Sequence, residues 1–390
     1  MTDDHPDYAL PPRAQRRRSQ RFASHAQTSV HSAGTPEPLP ASAMAAAREI
    51  AIFDRSALLR QLELVYGRRY MFDDEVELGM PQPSLSSEEQ LRLDKLRWLA
   101  DDERGPLRPL LVGSQGMRDR LAQARLACPN FATVIDLIDR AVALSVLTAT
   151  ALTIPPILLL GPPGVGKTHA SQAIAAALGT AIQAISCATN SDCQQLVVGH
   201  PTSWRGARMG VVNEALLGAD TAQPVLLLDE IDKFESHRDE QPYHVLLNLL
   251  EPQNSGAILD EYLRVPFDLS HTIIIATAND ADRLPSFIQD RLLMVEIAPP
   301  LGADLLGITR RIVTDAIAQA GGAIAAPCEE VIARLARAHP RQIKRIVRLA
   351  LGYAAGVGRS HLTVADVEAA ERLAVGPATR GPIGFLQARG

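Results

Sequence analysis

The spacing of apolar residues changes twice along the chain. Residues 46–125 have helical spacing, with one predicted helix face formed by Leu58, Leu62, Val65 and Tyr66. Residues 87–90 fit a capping box ahead of Leu93, Leu96 and Leu99. From about residue 126, helical segments alternate with continuous apolar runs typical of buried parallel strands, at 157–160, 225–228 and 272–276. After about residue 300 the spacing is helical again.

These changes predict an α/β fold in which a parallel sheet lies between helices, with a helical region before it and a small all-α domain after it. Residues 1–45 mix Pro, Ser, Ala, Gln and Arg without periodicity, which predicts a disordered tail. The other predicted segments are a helical N-terminal region of unknown role at 46–125, a large α/β domain at 126–298, a small helical domain at 299–376 and a C-terminal tail at 377–390.

Composition and charge favour a cytoplasmic protein. The chain has 390 residues, of which 46% are hydrophobic and 21% charged, as in ordinary globular proteins. Its net charge of −5 gives no general attraction to nucleic acid. The four cysteines lack metal-ligand spacing and are expected to be reduced thiols. No export signal is visible, and Thr residues with Pro155 and Pro156 interrupt the apolar stretch 141–160, so we expect no membrane span.

A glycine-rich run stands between the apolar run 157–160 and a helical pattern. Its residues are Gly161, Pro162, Pro163, Gly164, Val165, Gly166, Lys167 and Thr168. Glycines let backbone N–H groups converge on phosphate oxygens at a helix N-terminus. Lys167 would then reach the β- and γ-phosphates of ATP, and Thr168 would ligate Mg²⁺. The alternative, a Gly/Pro loop with a chance Lys-Thr pair, does not explain the strand before it and the helix after it.

A second apolar run ends in Asp229 and Glu230. At the carboxyl end of a parallel strand, such acids face the crevice where α/β sheets bind ligands. Asp229 would hold Mg²⁺, and Glu230 would orient or deprotonate an attacking water. Surface acids at a strand end are the alternative. Together with the glycine-rich run, the pair predicts an ATPase that uses ATP and Mg²⁺.

The run Asp229-Glu230-Ile231-Asp232-Lys233 and the glycine-rich run together resemble AAA+ ATPases, above all the ATPase module of Lon-type proteases, over about 157–351. The resemblance implies that Asn279 is the sensor 1 residue and Arg341 the sensor 2 residue. It also implies that Arg291 is an arginine finger that reaches a neighbouring subunit's γ-phosphate, in a ring of identical subunits, six by family expectation. The alternatives are a strand-ending Asn279, a surface Asp290–Arg291 pair, and Arg283 as the finger.

Further arginines follow Arg341 on the same predicted helix. A cation near a helix N-terminus opposes the helix dipole, so Arg341 is better explained if a nucleotide phosphate holds it. Arg345 and Arg348 share its helix face, and for these two we expect a solvated face instead.

The resemblance also implies a pore loop that grips polypeptide, aligned with Trp204, Arg205 and Gly206. Here Trp replaces the usual Tyr or Phe, and Arg205 replaces an apolar residue. A tryptophan packed in the core is the alternative. A second pore loop would span 234–243.

The sequence predicts an ATP-driven protein remodeller or unfoldase. Lon-type proteases continue into a protease domain, whereas sixteen residues follow Ala374 here, so we expect no protease domain. The tripeptide 383–385 resembles motifs that dock separate peptidases, but its brevity does not favour such a partner. Two alternatives stay open, namely a nucleic-acid motor or loader and a nucleotide-switched scaffold.

Overall fold

The computed structural model describes residues 49–76, 86–188, 197–234 and 243–374. The predicted tails at 1–45 and 377–390, the tripeptide 383–385, Cys193 and residues 235–242 of the second loop lie outside these residues. The strands are β1 (Glu49–Ala51), β2 (Leu107–Pro109), β3 (Ile157–Leu160), β4 (Ile182–Ser186), β5 (Val225–Asp229), β6 (Ile258–Asp260), β7 (Val265–Phe267), β8 (Ile273–Ala278) and β9 (Leu293–Glu296).

Helices precede, separate and follow these strands. They are α1 (Arg55–Val76), α2 (Ser87–Ala100), α3 (Gln115–Ala127), α4 (Ala132–Thr148), α5 (Lys167–Leu178), α6 (Val211–Gly218), α7 (His244–Leu250), α8 (Pro252–Ser255), α9 (Ser286–Gln289), α10 (Gly302–Gln319), α11 (Glu329–Leu335), α12 (Pro340–Gly356) and α13 (Val364–Ala374). Within the described ranges, no helix has the length and apolarity needed to cross a membrane.

A five-stranded parallel sheet forms the centre of the fold, in the order β4-β5-β8-β3-β9. Side chains alternate between its faces. Leu158, Leu226 and Ile274 belong to the hydrophobic core on one face, whereas Leu159 and Leu227 belong to the core on the other. Both faces are covered, which explains why the strands read as continuous apolar runs. The predicted α/β sandwich is confirmed.

The helical N-terminal region packs into the core of the sheet domain. Strand β1 pairs with β2, and Phe53 bridges to Phe267 in β7. Leu58 of α1 and Leu96 of α2 lie in the same hydrophobic cluster as residues of the β6–β7 hairpin. The predicted boundary at residue 126 falls inside α3, and the cores of α3, α4 and α5 form one cluster. The division into domains at that residue stays a prediction.

One detail of this region differs from the sequence-based expectation. Helix α2 is capped by Ser86, not Ser87: the Ser86 hydroxyl accepts from the Glu89 N–H at 3.2 Å, and the Glu89 carboxylate accepts from the Ser86 N–H at 3.0 Å. Both serines fit the capping-box pattern, but with Ser86 as the cap the charged carboxylate of Glu89, and not the amide of Gln90, occupies the third helical position, where the helix dipole favours a negative charge. Leu93, Leu96 and Leu99 are buried as predicted.

The small helical domain comprises α10 to α13 and has a hydrophobic core of its own, which includes Val313, Ile332, Ile346 and Val367. Pro340 occupies the first turn of α12, as the sequence predicts. This turn faces the large domain, because a Cβ added to Gly164 would overlap the His339 ring at the start of α12. The small domain therefore covers the glycine-rich loop.

Candidate active site

Three adjacent strands bring the predicted nucleotide-site residues together. Strand β8 lies between β5 and β3, with Leu160 opposite Ala278 and Leu228 opposite Ala276. Gly161, Asp229 and Asn279 therefore lie side by side at the carboxyl edge of the sheet, which is where α/β proteins bind ligands.

The glycine-rich loop 161–168 runs into the N-terminus of α5. Gly164 and Gly166 have φ angles of +83° and +101°, in the region that side chains strongly disfavour, and Gly166 is the residue before the helix. A Cβ on Gly161 would lie 2.5 Å from the Ile297 carbonyl oxygen, so the loop also needs glycine for close packing. The first N–H groups of a helix have no partner within it. The loop therefore suits an anion.

Lys167 is buried beneath this loop, with 8% of its surface exposed. Its Nζ donates to the Gly161 carbonyl at 2.5 Å, to the Pro162 carbonyl at 3.2 Å and to Asn279 Oδ1 at 2.9 Å. Burial lowers the pKa of Lys167, and nearby carboxylates, Asp232 foremost, oppose that shift. The hydrogen-bond acceptors of the ammonium are all neutral, and the nearby carboxylates only partly offset its burial. The residues therefore fit a phosphate that would supply further negative charge.

Thr168 and Asp229 form the predicted magnesium pair. The Thr168 hydroxyl donates to Asp229 Oδ2 at 3.1 Å and lies 3.3 Å from Oδ1. Hydroxyl and carboxylate oxygens are hard ligands of the kind that Mg²⁺ prefers, and Mg²⁺ commonly binds through one or two protein groups plus substrate phosphates. The donor set therefore fits Mg²⁺ bound beside a nucleotide.

Thr277, in the middle strand, joins the two acids. It is fully buried, and its hydroxyl donates to Asp229 Oδ1 at 2.6 Å. The Thr277 hydroxyl oxygen in turn accepts from the Glu230 N–H at 2.9 Å. Glu230 has a left-handed backbone with φ of +59°, which is rare for a side chain of this kind and typical of functional sites. Sequence analysis missed Thr277, and the available signal was a hydroxyl within an apolar strand two residues before Asn279.

Thr277→Val tests whether this hydroxyl positions the acids. The change keeps the side-chain volume but leaves the Glu230 N–H without its acceptor and removes the 2.6 Å donor to Asp229 Oδ1, so that among the described residues Asp229 retains only the hydroxyl of Thr168. Loss of such outer contacts typically lowers activity about 10- to 100-fold, so we expect that fall in kcat for ATP hydrolysis, with Kd for ATP nearly unchanged. Thr277→Ser retains the hydroxyl and should keep most of the activity. A Val variant as active as the Ser variant would show that the hydroxyl is dispensable.

Glu230 and Asn279 are each held by a charged neighbour. Glu230 Oε1 lies 2.7 Å from Lys233 Nζ, and the Asn279 N–H donates to Asp232 Oδ2 at 3.2 Å. Asp232 and Lys233 belong to a short 3-10 turn that directly follows Glu230. The turn therefore orients the Glu230 side chain and holds the backbone of Asn279.

A cavity of about 1060 Å³ extends from these residues to the small domain. Arg341 lines it together with Lys344 and Arg348, so three cations of α12 face the cavity that contains Lys167. The Arg341 N–H donates to His339 Nδ1 at 3.4 Å, which helps fix the start of α12. Arg348 is solvent-exposed as expected, and it also lines this cavity.

Arg291 is not among the described residues that line this cavity. Within the described residues it pairs with Glu251 and not with Asp290: its Nε donates to Glu251 Oε1 at 2.7 Å, and its Nη1 donates to the Phe287 carbonyl at 2.6 Å. The rival Arg283 lies 3.5 Å from Asp280, with 65% of its side chain exposed. Neither arginine is among the described residues that line the cavity of its own chain, as expected for a residue that acts on a neighbouring subunit.

Trp204 lies at the tip of an exposed loop, and 55% of its surface is accessible. Arg205 and Gly206 beside it are exposed as well. The His200 N–H donates to the Arg208 carbonyl at 2.9 Å and closes the loop below the indole. The alternative of a tryptophan packed in the subunit's core is therefore wrong.

A buried carboxylate, Asp260, clamps the base of this loop. Its Oδ2 accepts from the Gly210 N–H at 2.9 Å and from Asn213 Nδ2 at 2.8 Å, and its Oδ1 accepts from the Leu263 N–H at 2.8 Å. Burial raises the pKa of Asp260, and these hydrogen bonds oppose that shift. Sequence analysis missed this residue too. It ties the Trp204 loop to the β6–β7 hairpin.

Comparison with known proteins agrees with this site. The sequence profile of the ATPase family associated with various cellular activities (AAA) matches residues 157–299. The chain is 39% identical over 155 residues to Lon protease 1 of Syntrophotalea carbinolica, a match covering 40% of this chain and 19% of that protein. It is 32% identical over 255 residues to the mitochondrial Lon protease homolog of Ostreococcus lucimarinus, covering 65% of this chain and 26% of that protein.

Residues 157–299 are thus an AAA ATPase domain. The ATPase region is similar to that of Lon proteases, which confirms the resemblance, and the chain spans between a fifth and about a quarter of these relatives' length. Solved structures of the RuvB Holliday junction branch migration motor of Thermotoga maritima and of a point mutant have TM-scores of 0.41 and 0.43, at 18% and 16% identity. The match to the motor covers 67% of this chain and 70% of that chain, and the match to the mutant covers 62% of this chain and 69% of that chain.

Proposed function

We propose that this chain hydrolyses ATP as a ring-shaped homo-oligomer and uses the cycle to remodel polypeptides. The observation that carries the ATPase is the gathering of Lys167, Thr168, Asp229, Glu230 and Asn279 at one edge of the sheet, within hydrogen-bonding reach of one another or of a shared neighbour. An AAA domain over residues 157–299 supports the same chemistry.

Each side chain has a definable task in the proposed reaction. Lys167 and the loop N–H groups bind the phosphates, while Thr168 and Asp229 hold Mg²⁺. Mg²⁺, when bound, neutralises charge on the phosphate oxygens. Glu230 orients a water and takes up its proton. Asn279, whose Oδ1 accepts from Lys167, offers its amide N–H to that water, and Arg341 contacts the phosphates from the small domain.

The position of Arg291 supports the proposed ring. Arg291 is not among the described residues around the cavity of its own chain, which agrees with the proposal that it acts on the phosphates of a neighbouring subunit. Head-to-tail interfaces of this kind close into rings when the rotation permits. Six subunits is the family expectation.

A polypeptide substrate is supported by the Trp204 loop. The large, rigid indole of a tryptophan can contact varied side chains and backbone without recognising a particular substrate sequence. The loop is closed at its base and clamped by Asp260, so force applied to the indole is transmitted to the ATPase domain. The net charge of −5 gives no general attraction to nucleic acid.

Trp204→Ala tests the substrate. Truncating a buried aromatic residue costs about 3–5 kcal/mol, but this indole is 55% exposed, so we expect near-normal thermal stability and basal ATPase. Stimulation of the ATPase by a chemically unfolded protein should be lost. Trp98→Ala is the matched control, because Trp98 is 47% exposed and lies on α2, and it should leave stimulation intact.

The same assay separates the alternatives. Stimulation of the wild-type chain by single-stranded or duplex DNA, and not by unfolded protein, would support a nucleic-acid motor. No stimulation by either would support a nucleotide-switched scaffold. Equal stimulation of the Trp204→Ala and Trp98→Ala variants by unfolded protein would remove the role of this loop.

A further inference from the structure

The carboxylate of Glu251 holds the guanidinium of Arg291. Glu251 Oε1 accepts from Arg291 Nε at 2.7 Å and lies 2.5 Å from Nη2, so one oxygen engages one edge of the guanidinium fork. The Phe287 carbonyl accepts from Nη1 at 2.6 Å. All three nitrogens of the guanidinium are thereby directed, and a long side chain that is otherwise free to rotate has one orientation.

Glu251 is itself fixed. It ends α7 and precedes α8, where its backbone carbonyl accepts from the N–H groups of Asn254 and Ser255 at 2.9 and 3.0 Å. Its second carboxylate oxygen accepts from Asn254 Nδ2 at 2.5 Å. Each oxygen of the carboxylate thus has a partner, and Glu251 is a fixed hydrogen-bond acceptor for Arg291.

We propose that Glu251 is a positioning residue that aims Arg291 at the nucleotide of the neighbouring subunit. The guanidinium has five N–H donors, and the fork that faces Glu251 and Phe287 leaves further N–H groups on Nη1 and Nη2 to contact an anion. Orientation matters because transition-state stabilisation by a cation depends on its prior placement. This inference rests on the proposed action of Arg291 between subunits.

The pair is not needed to hold the subunit together. The side chains of Arg291 and Glu251 are 31% and 36% exposed, and ion pairs this open to solvent contribute little to folding. A matched pair exists in the small domain, where Glu371 Oε2 accepts from Arg334 Nε at 3.2 Å and from Nη2 at 2.6 Å. In both pairs one carboxylate oxygen faces Nε and Nη2 of an arginine whose side chain is 31% exposed, so Glu371→Gln is a control for loss of a fork-like ion pair.

The experiment mixes two inactive subunits. Arg291→Ala subunits retain a complete nucleotide site but supply no arginine, whereas Glu230→Gln subunits supply Arg291 but cannot hydrolyse ATP. Mixed assemblies should regain hydrolysis wherever the two kinds meet. Absence of any regained activity, with mixing verified by light scattering and labelled subunits, would overturn the action of Arg291 between subunits and the role of Glu251 with it.

Glu251→Gln is then introduced either into the Glu230→Gln subunit or into the Arg291→Ala subunit. On the Glu230→Gln subunit, which supplies Arg291, it should reduce the regained rate about tenfold or more, in the range typical for loss of an orienting contact. On the Arg291→Ala subunit it should have no effect. Glu371→Gln should be harmless on either side.

Comparing the two kinds of subunit keeps the test decisive even if Glu251→Gln destabilises the fold, because the destabilisation would be the same in either kind of subunit. Equal losses on the two sides would show that Glu251 serves only its own subunit. Full activity with Glu251→Gln in the subunit that supplies Arg291 would show that Arg291 does not need the contact with Glu251. Either result overturns the proposal while leaving the proposed ATPase intact.

Discussion

Lys167→Ala should abolish ATP binding at concentrations at which the wild-type chain is saturated. The Lys167 ammonium is the buried cation of the loop, and its present acceptors are neutral oxygens of Gly161, Pro162 and Asn279. Removing one partner of a buried charge pair costs about 3–5 kcal/mol, which corresponds to a rise in Kd of about 100-fold or more. Titration with a fluorescent ATP analogue measures this directly.

The variant should fold normally. Burial lowers the pKa of Lys167, which means that the folded chain disfavours its charged form, so loss of the ammonium does not remove a contact that stabilises the fold. Lys95→Ala is a suitable control, because burial lowers the pKa of Lys95 as well but this residue lies on α2. Wild-type affinity in Lys167→Ala would show that the loop 161–168 does not bind the phosphates.

Glu230→Gln should have the second large effect, of the opposite kind. The exchange preserves the shape and the left-handed backbone of Glu230 but removes the base that accepts a proton from water, and such bases contribute about 10²- to 10⁴-fold to rate. We expect kcat to fall by about that range while Kd for ATP stays within a few-fold of the wild-type value. Single-turnover hydrolysis and equilibrium binding on the same preparation separate the two quantities.

Glu214→Gln is the control, since Glu214 is an exposed glutamate on α6. Its kinetics should match those of the wild-type chain. If Glu230→Gln hydrolysed ATP as fast as Glu214→Gln, Glu230 would not be the base. Loss of binding instead of hydrolysis would mean that the Glu230–Lys233 ion pair supports the nucleotide pocket itself.

The glycine-rich loop was predictable because its signals are local. The residues from Gly161 to Thr168 are contiguous, stand between a strand and a helix, and depend on glycine conformations that a sequence displays directly. The strands were predictable for a related reason: a sheet covered on both faces leaves unbroken apolar runs, whatever the order of its strands. Neither inference needed knowledge of which segments meet in space.

The packing of the N-terminal region could not be predicted from such local signals. Its helices were predicted from apolar spacing, but that spacing does not say which surface an apolar face covers. In the structure Leu58 and Leu96 pack into the cluster that contains the β6–β7 hairpin, so the region supports the ATPase domain directly. The choice between Ser86 and Ser87 as helix cap was equally beyond the sequence, since both lie within a residue of the same motif.

The sequence by itself determined that this chain has a glycine-rich loop between a strand and a helix, a pair of acids after a buried strand and an α/β fold whose sheet is covered by helices on both faces. Only the tertiary structure decided that Thr277 joins the two acids, that Asp260 clamps the Trp204 loop and that Glu251 holds Arg291. These contacts join residues about 40 to 50 positions apart. Strand order and register bring such residues together, and they depend on the packing of the whole chain, which no short stretch of sequence encodes.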